Sequence, residues 1–182
     1  MTLLILENIG SSNQRKLFKL LGVDYVATSR AWIAPIWIAI FGIILSLIFA
    51  PVDGLLSLIL TGLAYGFLIF MTIFFHDLGH ILSSRMVKAP MQTIVLSATV
   101  NATLYDETEE HPSYVHIARA LGGPVLNMLL GLATMTIYNL AASNHFLELF
   151  WLTNLILAGI TMLPAPSFDG DVIVRELRDW KK

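Results

Sequence analysis

Along this chain, charge disappears in long blocks, and the blocks are the first thing to read. Residues 31–50, 55–76, 117–142 and 146–163 carry almost no charge. A bilayer's hydrocarbon core of about 30 Å takes about 20 helical residues to cross, so the pattern predicts four membrane spans. The helical pattern of the second continues to about residue 86, which is more than a bilayer requires. The turn-forming "PVDG" closes the first span, and a polar "ASNH" lies between the third and fourth. The segment between the second and third spans, of about 30 residues, exceeds the usual loop. Within it "TVNATLY" alternates apolar and polar residues as a half-exposed strand does, and "MQTIVLS" is its expected hairpin partner. An amphipathic loop at the interface is the alternative. The fold class expected is therefore an all-α membrane protein with about four transmembrane helices and a re-entrant β-hairpin between the second and third. Residues 1–30 read as a cytoplasmic or interfacial segment, with "QRKLFKLLG" on the inner membrane surface, and residues 31–182 as one membrane-embedded domain.

Composition agrees: 56% of the 182 residues are hydrophobic and 13% are charged, more apolar sequence than one soluble core needs. The basic residues add orientation. With four spans, all eleven Lys and Arg fall on one side and the two opposite connections have none. The positive-inside rule then puts both ends in the cytoplasm of a multi-pass protein of the cell membrane. The start of the chain, with its charges after a short apolar stretch, is a poor signal peptide. A net charge of -2 without a large basic patch gives no reason to expect nucleic acid as a partner. Without cysteine, any metal must be held by nitrogen and oxygen.

Such ligands stand in "FFHDLGHIL", at the end of the second apolar block. Residues four apart share a helix face, so His76 and His80 can both turn a ring nitrogen to one metal ion, with Asp77 beside it. Ionisable groups at membrane depth are rare without a function; the plain alternative is a pair of core histidines bonded to neighbouring helices. A catalytic zinc takes three protein ligands and leaves one position for water. In "LPAPSFDGD", which the expected topology brings to the same membrane face, Asp169 is the candidate third ligand and Asp171 its competitor. Either could instead cap the helix "VIVRELRDW". His111, His116 and His145 read as surface or interfacial residues.

"HDLGH" after an apolar helix, "LGGPVLN" opening the next and "LPAPSFDG" after the last resemble, in order and spacing, the signature segments of the site-2 protease family of intramembrane zinc metallopeptidases. The resemblance implies zinc as cofactor, His76, His80 and Asp169 as its ligands, and Asp77 in the position of the catalytic glutamate. It implies a compact member, without a PDZ or CBS domain, that cuts a membrane-spanning protein near the cytoplasmic face. The chain departs from the family at Asp77, one methylene shorter than glutamate, at Thr161 in place of an asparagine, at Asp171 in place of a glycine, and in lacking a glycine pair within "SATVNATLY". An inactive pseudoprotease of the same fold is thus the alternative.

Other positions have two readings. "GGPVLNMLLG" puts Gly123, Asn127 and Gly131 on one helix face, where Asn127 is a candidate oxyanion donor or a hydrogen bond between packed helices. Asn154 has the same two readings, and Gly62 with Gly66 reads as close helix packing. An unpaired edge of "TVNATLY" could add an unwound substrate by backbone pairing. A metal-binding or transport protein is a further alternative, for which polar residues at midplane in several spans are expected. Five histidines, only two spaced for a shared ion, are too few for a di-iron centre, and the motifs of rhomboid and presenilin-like proteases are absent.

Overall fold

The computed structural model describes residues 14–50, 53–99, 101–105, 110–141 and 143–180. Two strands, β1 (Arg15–Leu20) and β2 (Val23–Ala27), precede two helices, α1 (Ile33–Phe49) and α2 (Gly54–Met86). A second strand pair follows, β3 (Met91–Leu96) and β4 (Ala102–Tyr105), and the chain ends in α3 (Ser113–Leu140), α4 (His145–Thr161) and α5 (Asp169–Asp179).

The helices turn apolar side chains outward. On α1, Trp37, Ile40, Phe41, Ile44, Leu47 and Ile48 are exposed while Gly42 and Ser46 are buried, the reverse of a helix in a water-soluble protein. Small residues let the backbones meet: a Cβ added at Gly62 would lie 2.6 Å from Ile43 Cα, so the expected close packing at Gly62 and Gly66 is the α1–α2 contact. At 33 residues, α2 is about 50 Å long and outreaches the hydrocarbon of a bilayer. Its last turns rest on the sheet, where Ile81 packs with Val23, Tyr25, Met91 and Ile94. At the start of α4, the Asn144 side chain accepts from the backbone N–H of Phe146 and Leu147, each at 3.0 Å.

The sheet changes the expected fold class. The hairpin foreseen between the second and third spans is half of a four-stranded sheet in the order β1-β2-β3-β4, so the molecule is mostly helical rather than all-α. β2 and β3 pair in parallel, with Asp24 opposite Thr93 and Ala27 opposite Leu96, and the crossover between them is the α1–α2 pair. The stretch "QRKLFKLLG", expected on the inner membrane surface, contains β1, and β2 pairs with β3 beyond residue 30, so the sheet joins the first 30 residues to the rest of the chain. The rest of that expected segment, residues 1–13, lies outside the described residues. Across the first hairpin Lys16 meets Asp24 at 2.7 Å, and the hydrogen bond from Lys16 holds the Asp24 carboxyl below its ordinary range, fully charged at neutral pH. The helix read as "VIVRELRDW" begins earlier than expected, at Asp169 with Phe168 at its cap, which leaves Asp171 in the first turn.

Candidate metal centre

His76 and His80 lie on consecutive turns of α2, and Asp169 reaches them from the first turn of α5. The two Nε2 atoms are 3.0 Å apart, and Asp169 approaches them with Oδ2 at 3.2 Å from His76 and Oδ1 at 3.3 Å from His80. Four-coordinate zinc with bonds of about 2.0–2.1 Å separates its donors by about 3.3 Å. The donor triangle fits that ion.

The far side of each ring fixes its tautomer. His80 Nδ1 lies 2.8 Å from the carbonyl oxygen of Arg119, which can only accept, so this nitrogen carries the proton. His76 Nδ1 lies 2.8 Å from Oδ1 of Asn127. That amide is oriented by its other end, where Nδ2 donates to the Thr72 carbonyl at 3.1 Å and to Asn154 Oδ1 at 2.7 Å, so His76 Nδ1 must donate as well. In the neutral rings both Nε2 atoms then present bare lone pairs to each other and to a carboxylate. Only a cation among them, a proton or a metal ion, relieves the repulsion, and two imidazoles with one carboxylate form a zinc donor set. Room for such an ion depends on Gly123: a Cβ there would lie 2.5 Å from His80 Nε2 and 2.6 Å from His76 Nε2.

Asn127 is fully buried, and both of its amide hydrogens are engaged. Of the two readings of Asn127, these contacts are those of the hydrogen bond between packed helices: it orients His76 and ties α2 to α3 and α4. The chain of bonds continues into the bundle, since Asn154 Nδ2 donates to Phe150 O at 2.8 Å and to Thr72 Oγ1 at 3.2 Å. Polar groups thus extend deeper than the sequence reading placed them, but these amides are spent on one another. Replacing Asn127 with alanine is expected to leave partners on two helices unsatisfied, costing about 1–3 kcal/mol of stability and weakening metal binding about 10–100-fold. Thermal unfolding and zinc titration of the purified variant measure the two effects.

Asp77 is 5% exposed and accepts a hydrogen bond from Asn101 Nδ2 at 2.7 Å. A cavity of about 560 Å³ opens beside it, bordered by His76, His80, Asn101, Phe168 and Asp169. Asp171 borders the cavity too, outside the donor triangle. β4, at the end of the sheet order, has a free edge among the described residues and runs into this cavity at Ala102 and Thr103. The other histidines stand outside the donor triangle: His145 bonds Tyr65 at 2.8 Å, while His111 and His116 line a cavity of about 610 Å³ that His80 and Asp169 also border. Sequence reasoning missed Asn101 and Arg119. Asn101 is the only amide within "TVNATLY", a faint signal; Arg119 acts on His80 through its backbone carbonyl, which no side-chain pattern reveals.

Arg119 itself is buried at 4% exposure, with Nε donating to Ala89 O at 2.9 Å and the guanidinium 4.3 Å from the centre of the Tyr105 ring. Burial pushes the Tyr105 hydroxyl up to about 12, so it stays neutral beside that cation.

Neither family models nor curated proteins match this chain. Among solved structures, it matches the site-2 protease from Methanocaldococcus jannaschii with a TM-score of 0.63 and 20% identity, over 93% of this chain and 73% of that one. The likeness establishes the fold, and α2 and α3 are each long and apolar enough to cross a bilayer.

Proposed function

We propose, from a site-2 protease fold with a donor triangle sized for zinc, that the protein is an intramembrane zinc endopeptidase that hydrolyses a peptide bond of a membrane-spanning protein near the cytoplasmic face. The observation that carries the reading is the meeting of two Nε2 lone pairs and the Asp169 carboxylate beside a second carboxylate, Asp77, on one cavity. His76, His80 and Asp169 would hold the zinc, which when bound supplies a water of lowered pKa and Lewis-acid polarisation of the scissile carbonyl. Asp77 is the proton acceptor for attack and the donor to the leaving amine. Asn101 holds that carboxylate toward the cavity from the sheet side. The free edge of β4 pairs with the backbone of an unwound substrate segment, so recognition depends on extended shape more than on sequence.

One observation favours a second reading, an inactive protein of the same fold: Asp77 is short and already bonded to Asn101. Cleavage of an unwound single-span substrate in proteoliposomes, by wild type and by Asp77→Asn at equal zinc content, tests the proposal; the Discussion develops the expected result.

The same proposal places four spans in the membrane, with α1 and α4, at 17 residues each, near the shortest length that crosses. Parity supports the orientation. β2 and β3 belong to one sheet, so the α1–α2 pair between them must return the chain to the side it left. The one-sided basic residues support a cytoplasmic assignment for that side. Reporter fusions at Asp53 and Ser143 are expected to read as external, and a cytoplasmic signal from either would overturn the arrangement.

A further inference from the structure

The end of α2 and the turn of the first hairpin enclose another polar cavity, of about 670 Å³, whose walls include none of the three zinc-binding side chains. Four cations from different parts of the chain line it: Lys19 of β1, Arg85 of α2, Lys88 just beyond α2, and Arg119 of α3. Among the described residues the one carboxylate on its wall, Asp24, is already taken by Lys16 at 2.7 Å, with Lys19 more distant at 3.9 Å.

Two of these cations are fixed in position. Arg85 Nη2 donates to the Leu21 carbonyl, and the hairpin turns beneath it with positive φ at Leu21 (45°) and Gly22 (73°). A Cβ at Gly22 would lie 3.0 Å from that nitrogen, so glycine gives the guanidinium its seat. Arg119 is buried, and among the described residues it meets only a carbonyl and the face of a neutral tyrosine, with no carboxylate in ion-pair distance. A buried guanidinium without a counter-charge is costly. Lys88, at φ 57°, and Lys19 supply ammonium groups at the exposed rim.

We infer that this cavity binds a phosphate group, with the headgroup of an anionic phospholipid as its source. Two forked guanidinium groups and two ammonium groups converging from separate elements match the several oxygens of a tetrahedral anion. The volume holds more than one phosphate, as a headgroup requires. Exposed Met86 and Leu21 flank the basic rim, so apolar surface for acyl chains adjoins the charge.

The test reads thermal unfolding of the full chain in phosphatidylcholine nanodiscs, in titrations of phosphatidylglycerol or of inorganic phosphate against chloride at equal ionic strength. Wild type is expected to be stabilised saturably, and Lys19→Gln with Lys88→Gln to weaken the apparent affinity about tenfold or more. Arg30→Gln with Arg178→Gln, which removes the same charge outside the cavity, is expected to leave the affinity unchanged. A response to phosphatidylglycerol alone supports the headgroup source; a response to inorganic phosphate as well supports the site and overturns that source as a requirement. No saturable response to either, or an equal loss in the control pair, overturns the site. Since the readout needs no turnover, this outcome is separate from the protease proposal.

Discussion

Purified His80→Ala and His76→Ala are expected to carry almost no zinc, where wild type carries about one ion per chain. Each substitution removes one of three donors, and the two that remain cannot close a tetrahedral site. The tautomers sharpen the expectation, because with Arg119 O and Asn127 Oδ1 accepting from the Nδ1 atoms, neither ring has another nitrogen to offer the metal. Asp169→Ala belongs with the histidine variants, whereas Asp171→Ala should keep most of the metal, since Asp171 borders the cavity without joining the donor triangle. Elemental analysis after gel filtration, with circular dichroism as the check on folding, makes the comparison. Zinc loss from Asp171→Ala equal to that from Asp169→Ala would reverse the assignment of the third ligand.

The second large effect concerns Asp77. Asp77→Asn is expected to retain zinc and to lose cleavage by about 10²–10⁴-fold, the usual worth of a positioned acid–base group. An amide keeps the volume and can still bond Asn101, but it accepts no proton. Asp77→Glu is expected to cut as fast as wild type or faster. Its added methylene carries the carboxylate past Asn101 into the cavity of about 560 Å³, toward the donor triangle. If wild type and Asp77→Asn are equally silent while Asp77→Glu turns over, the natural protein is an inactive relative. If all three are silent at full zinc occupancy, the protease reading fails.

Helix bounds were largely legible. Block-wise loss of charge predicted spans at residues 31–50 and 146–163, and α1 (Ile33–Phe49) and α4 (His145–Thr161) fall within two residues of them. His76 and His80 were legible because a spacing of four has one geometric meaning on a helix. The first hairpin was not. All but the last residue of "RKLFKL" are exposed, so β1 has no buried face to write an alternation into the sequence, and its register slips between Lys16 and Phe18. β2 is held by Ile81, Met91 and Ile94, residues far along the chain, and local pattern does not encode such partners. The orientation of Asn127 was hidden for the same reason. Its helix face could be read, but the direction of its amide is decided by Thr72 and Asn154 on two other helices.

The parallel pairing of β2 with β3 also sets an order of events during biosynthesis. A strand made early finds its partner only after about 60 further residues, the whole α1–α2 pair, have been synthesised. At about 5–20 residues per second that wait lasts about 3–12 s. Throughout it β2 has one unpaired edge, with β1 covering the other. The charged strand β1, with Lys16 and Lys19 drawn onto Asp24, makes the nascent hairpin a poor template for a neighbouring chain. Those lysines blunt the outer edge of the hairpin during the interval in which the inner edge of β2 still waits for β3.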